Sequence, residues 1–105
     1  MALVLANFKK IEEFGIFRNT RWAYDTVDAQ TAVRVSGYFN NALPYGIQIG
    51  DEIIVTKWTT AVPTKQPVPG TSALSARFRT TVVGVSTAGV VDCADGDAVT
   101  LTNTD

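Results

Sequence analysis

Histidine is absent from this 105-residue chain. The commonest transition-metal ligand is therefore missing, as is the side chain that titrates nearest neutrality. That removes Ser-His-Asp and Cys-His catalysis together with the usual zinc sites. Cys93 is the single cysteine, so no internal disulfide can form and stability must come from packing, partners or metal. Charge of one sign is also missing. Nine Lys and Arg face ten Asp and Glu, for a net −1. A dedicated nucleic-acid binder needs a clustered basic face, and none is expected here: Lys9 and Lys10 are answered at once by Glu12 and Glu13. No apolar run approaches the ~20 residues of a membrane-spanning helix. Met1–Ala6 is apolar but lacks a basic start, and Lys9-Lys10 follows it, so it does not read as a secretory signal.

Hydrophobic residues make up 46% of the chain, a globular share that argues against disorder throughout. The length allows one domain, or one domain and an arm. Small domains hide only part of their surface, and self-association is one remedy.

The stretch from Trp22 to Thr56 organises the rest. Trp22, Tyr24 and Thr26 alternate with Ala23 and Asp25, predicting a β-strand with an aromatic face. Asp28 is placed to cap a helix. Ala32, Val35, Ser36, Phe39 and Leu43 then fall at helical spacing, with Gly37 as the weak point. Pro44 and Gly46 end the helix. Gly50-Asp51 reads as a turn, and Ile53–Trp58 as a strand apolar on both faces and so covered on both.

Residues 1–21 differ in character and are set apart as an N-terminal arm, with 22–105 as the domain. Leu3, Leu5, Phe8, Ile11, Phe14 and Phe17 give the arm its apolar content, and Phe8, Ile11 and Phe14 would share a face of a short helix. The plainer reading packs this segment on its own domain; the sharper one lays it across a neighbouring subunit. Exposure would be costly at about 25 cal/mol per Å², so something covers it.

Residues 59–72 form a loop with Pro63, Pro67, Pro69 and Gly70. Ala73–Ser86 alternates as a long strand, with Leu74, Ala76, Phe78, Thr80 and Val82 on one face and Ser75, Arg77, Arg79, Thr81 and Val83 on the other. A turn at 87–89 returns the chain through Val90–Cys93, and Asp95-Gly96 turns it again into a short strand, Ala98–Thr102. The expected fold is α+β: a small, mostly antiparallel β-sheet or open barrel with one short helix and an extended N-terminal arm.

Candidate chemistry is thin. Asp92, Asp95 and Asp97 lack the later glutamate of a calcium loop and read as turn residues. Asp25 and Asp28 have nothing to push their pKa values apart, as an acid–base pair requires. Cys93 reads as a buried hydrophobe. No cofactor, metal or enzymatic activity is expected. Arg77 and Arg79 read as a solvated strand face or as contacts between subunits. The aromatics Trp22, Tyr24 and Trp58 each offer large area for burial in a core or interface.

Three stretches carry a resemblance: Tyr24-Asp-Thr-Val-Asp28, Val35-Ser-Gly-Tyr-Phe-Asn-Asn-Ala42 and Ile49-Gly-Asp-Glu-Ile-Ile-Val55. Together they resemble small virion structural proteins of tailed bacteriophages, the head-decoration (cement) and fibre-module group, over residues 22–102. The Pro-rich loop and the apolar first 21 residues are departures from that pattern. The resemblance implies no enzyme and no cofactor. It implies a homo-oligomer, a trimer in the favoured case, made in the host cytoplasm and bound on the capsid exterior between capsomers of the major capsid protein. Neither nucleic acid nor membrane is an implied partner. The interface candidates are then Leu3, Leu5, Phe8, Ile11, Phe14, Phe17, Trp22, Tyr24, Trp58, Arg77 and Arg79. The alternative is a fibre or spike module that binds host-surface glycans through Trp58 and the 59–72 loop.

Overall fold

The computed structural model describes residues 3–16, 18–59, 61–62 and 74–99. Six strands form one mixed sheet: β1 (Phe8–Phe14), β2 (Asn19–Thr26), β3 (Glu52–Trp58), β4 (Leu74–Val85), β5 (Val91–Cys93) and β6 (Asp97–Val99). The order is β1-β2-β3-β4-β5, with β6 on the first half of β4. The path is open at both ends, so the α+β expectation holds and the sheet is not a barrel. Among the described residues no helix is long and apolar enough to cross a membrane.

The segment set apart as an arm docks on its own chain. Leu3 is buried, and β1 pairs antiparallel with β2, Phe8 opposite Tyr24 and Phe14 opposite Asn19. The helix expected near Phe8–Phe14 is a strand instead. An isolated helix this short is unstable in water, whereas the extended form gains a backbone ladder and stacks the Phe8 ring on Trp22, centroids 4.6 Å apart. The register slips between Lys10 and Glu12. Ile11 is the extra residue of this β-bulge, and beyond it the side chains change face. Phe8 therefore enters the core while Phe14 lies on the opposite side, under the Arg21 guanidinium.

β2 and β3 are parallel, Trp22 opposite Ile53 and Tyr24 opposite Val55. Parallel neighbours need a crossover, and residues 27–51 supply it. The long helix expected there is broken in two: α1 is only Gln30–Val33, and a 3-10 helix spans Asn40–Tyr45. Gly37, at φ +90°, breaks the run. Its N–H donates to the Val91 carbonyl, and the Asn40 side chain accepts from the Val91 N–H. Bonds to β5 thus replace helical ones. Asp28 is not the cap: Ala29 holds that position without a side-chain bond, and the Asp28 carboxylate accepts from the Tyr38 hydroxyl.

The crossover covers one sheet face. Val33, Phe39, Ala42 and Ile47 pack onto Phe8, Trp22, Tyr24, Ile53, Val55 and Phe78 as one buried cluster. Phe8, Tyr24, Tyr38 and Phe39 meet edge-on or tilted, centroids 5.1–6.2 Å apart, geometry that aromatic quadrupoles favour. On β4 the alternation is as expected: Phe78, Thr80 and Val82 are buried and Ser75, Arg77, Arg79, Thr81 and Val83 exposed. Cover on both faces of β3 is complete on one face and partial on the other, where Thr56 is buried. Ile54 and Trp58 on that second face are partly exposed. The Asp95-Gly96 turn also holds: at Gly96, φ +88°, a Cβ would sit 2.8 Å from the Arg79 carbonyl, so β6 needs glycine there to reach β4. Nearly all of the Pro-rich loop and residues 100–105 lie outside the described residues.

Candidate interaction surface

One end of the sheet gathers the β1–β2 turn, the 48–51 turn and the second half of β4. A buried carboxylate ties them together. Asp51 Oδ1 accepts from the Thr20 N–H at 2.9 Å and Asn19 Nδ2 at 3.1 Å. Oδ2 accepts from Trp22 Nε1 at 3.0 Å and the Gln48 N–H at 2.9 Å. Its backbone continues the clamp, since the Val82 N–H donates to the Asp51 carbonyl and the Gly50 N–H to the Val82 carbonyl. A fully buried charge is tolerable only when it is bonded in this way. The sequence reading passed over this anchor, because Gly50-Asp51 looks like ordinary turn chemistry. Its one signal was an acidic residue directly before the most apolar strand.

Around this anchor, large apolar side chains face water. Ile16 at the β1–β2 turn is 90% exposed, Ile49 is 58% and Val83 is 55%. Asn19 Nδ2 reaches the Ile49 carbonyl at 2.8 Å, so the two turns are in contact. Phe14, also at this end, is partly exposed. Arg18 closes the turn at φ +54°, a conformation unusual for a residue with a side chain.

A second polar chain secures the start of the described residues. The Val4 N–H donates to the Tyr24 hydroxyl at 3.1 Å. Tyr24 lies 2.9 Å from the Tyr38 oxygen, and Tyr38 donates to Asp28 Oδ2 at 2.7 Å. With the Tyr38 proton committed to the carboxylate, Tyr24 must donate to Tyr38, and every hydroxyl is satisfied. Burial, reinforced by the Tyr24 and Asp28 bonds, pushes the Tyr38 phenol well above its ordinary range. Burial, with Asp92 adding to it, pushes the Cys93 thiol up to about 12. Both groups are held protonated at neutral pH, and the thiol is not a nucleophile there.

The interface candidates separate into groups. Leu3, Phe8, Trp22 and Tyr24 are buried in the chain's own core. They are the large apolar residues that the hairpin and crossover close over. Leu5 is partly buried against that core. Ile11 and Phe14 stay on the surface. Trp58 is partly buried and donates from Nε1 to Asp25 Oδ1 at 3.0 Å, which fixes its ring in place. Arg77 and Arg79 line the exposed face of β4, and Arg77 Nε donates to Thr56 Oγ1 at 3.0 Å. Phe17 lies outside the described residues. Ile16, Ile49 and Val83 are the surface residues that sequence reasoning missed.

Among the described residues no three of Cys, Asp and Glu come together as a metal site. Two shallow concavities flank Ser36. One is lined by Val35, Gly37 and Tyr38, the other by Gly84, Val85, Ser86, Val90 and Asp92. Neither collects a charge cluster.

Fold and surface define a small α+β protein: an open mixed sheet, covered on one face by its crossover, with an apolar end held in place by a buried aspartate. Compared with known proteins, the chain matches no protein-family model, no curated protein and no solved structure.

Proposed function

We propose that this chain is a virion structural protein of a tailed bacteriophage that decorates the capsid exterior, binding between capsomers as an oligomer and stabilising the shell by mass action. One observation carries the reading: Ile16, Ile49 and Val83 are each exposed, and the two turns and the strand that bear them are tied to one another by Asp51, which is fully buried and bonded. A rigid apolar end of this kind suits burial against another protein. The three sequence stretches that resemble the head-decoration and fibre-module group support the major capsid protein as that partner. A subunit that binds the expanded shell and not its precursor shifts the equilibrium toward the expanded form.

The test is co-sedimentation with purified expanded heads. The wild-type chain is expected to travel with the heads, and Ile16→Asp to bind about tenfold or more weakly, a change of about 1.4 kcal/mol. A chain that stays in the supernatant at every head concentration overturns the proposal.

A further inference from the structure

β1 ends the sheet, and among the described residues nothing pairs with its outer edge. An open edge is a template for another strand. Its sequence, Phe8-Lys9-Lys10-Ile11-Glu12-Glu13-Phe14, has an uncommon symmetry. Read from either end toward Ile11, an aromatic is followed by two charges, lysines from one side and glutamates from the other. We propose that β1 is the seam of a two-fold pair, in which a second copy of this chain adds its own β1 antiparallel across Ile11.

The occupant follows from the charges. A two-fold seam is isologous, so each residue meets the residue equally far on the other side of the axis. Centred on Ile11, the lysine half of each strand faces the glutamate half of its mate. A parallel neighbour would set lysines on lysines and glutamates on glutamates, and like charges directly opposite destabilise a strand pair. The bulge turns both opposed pairs, Lys10 with Glu12 and Lys9 with Glu13, to opposite faces, so the attraction is diagonal, Lys9 toward Glu12 and Lys10 toward Glu13 of the other copy on shared faces. Lysines and a bulge also protect an edge from indiscriminate pairing. A purely protective edge would repeat one sign; this one excludes most strands and admits its own antiparallel copy. Ile11, half exposed and without a partner in β2, lies on the axis and would meet its own counterpart there.

Existing contacts do not stand in the way. Lys10 pairs with Glu13 at 3.5 Å and Glu12 with Arg21, both at the surface, where such pairs are worth about 0–1 kcal/mol and are easily shared. Seven residues of strand give a seam roughly 24 Å long at ~3.4 Å per residue. The pair is a two-fold element and does not by itself make the threefold ring that the resemblance implies. It also stands apart from the capsid reading, because the charges that would make the seam, Lys9, Lys10, Glu12 and Glu13, are not among the exposed apolar residues of that end, although Phe14 reaches it.

The test is a charge exchange on the full-length chain, read by sedimentation equilibrium at low salt. Wild type is expected to reach twice the mass of one chain, with the pair weakening as salt screens the seam. K9E/K10E and E12K/E13K are each expected to stay single at the same concentration, and their equimolar mixture to recover the pair. The recovery also shows that both variants fold. Wild type that stays single at every concentration, either variant that pairs as wild type does, or a mixture that fails to recover overturns the proposal. Both variants are expected to bind heads with wild-type strength; if they lose the heads instead, the edge is a capsid contact and the two-fold seam is overturned.

Discussion

At the scale of single residues, Asp51 matters most. Four donors converge on a carboxylate with no solvent access, so its loss strands Trp22 Nε1 and the Thr20 N–H inside the protein and leaves the part-buried Gln48 N–H without this acceptor. Asp51→Ala is expected to cost about 3 kcal/mol or more in urea unfolding, since bonds to a charged group and stranded donors each carry 1–3 kcal/mol. Asp51→Asn keeps one acceptor but turns a donor toward donors, and should fall between alanine and wild type. Cys93 gives a second prediction. Its thiol pKa is raised on folding, so between about 9 and 12 the unfolded chain loses a proton that the native chain retains. The thiol's contribution to stability is therefore complete below about pH 9 and is lost as pH rises through that window. Tyr38, also raised, adds to the decline at its upper end. Melting temperatures measured across that range should drop, and more gently for Cys93→Ala. A thiol reagent should label Cys93 only as fast as the chain opens.

At the scale of elements, the first hairpin and the crossover are the instructive pieces. β3 was legible from its run of β-branched residues after the Gly50-Asp51 turn, and β4 from its alternation toward one core. β1 was not, because Phe8, Ile11 and Phe14 fall three apart and imitate a helical face. A bulge at Ile11, invisible in the residue order, sends the two phenylalanines to opposite sides. The crossover misled in another way. Ala32 to Leu43 has helical spacing, yet Gly37 and Asn40 bond to β5, a strand more than fifty residues later. No local pattern reports a bond of that length. Asp28 looked like a cap only because Tyr38, its actual partner, lies ten residues on. Phe8→Ala should cost about 3–5 kcal/mol and release β1, seen as faster amide exchange in Lys9–Phe14 and in the facing half of β2. Gly96→Ala meets both a left-handed backbone and the Arg79 carbonyl. It should cost about 1–3 kcal/mol and detach β6 while leaving the Phe8–Trp22 stack in place.

At the scale of the whole molecule, the core was readable in kind and its surface was not. Of the aromatics expected to bury in a core or an interface, Trp22 and Tyr24 went into the chain's own core once the hairpin closed over them. The residues left outside, Ile16, Ile49 and Val83, are ordinary aliphatics in turns or on a strand face. Only the joining of two turns by Asp51 brings them to one end, and that joining is a tertiary fact. The measurement that bears most directly on an outward-facing apolar end is the sedimentation of the full chain with and without expanded phage heads. Expected is a chain that leaves solution with the heads at a fixed number of copies per capsomer, and that Ile16→Asp releases. A chain that stays behind whatever the head concentration, its end still open to water, would contradict that role.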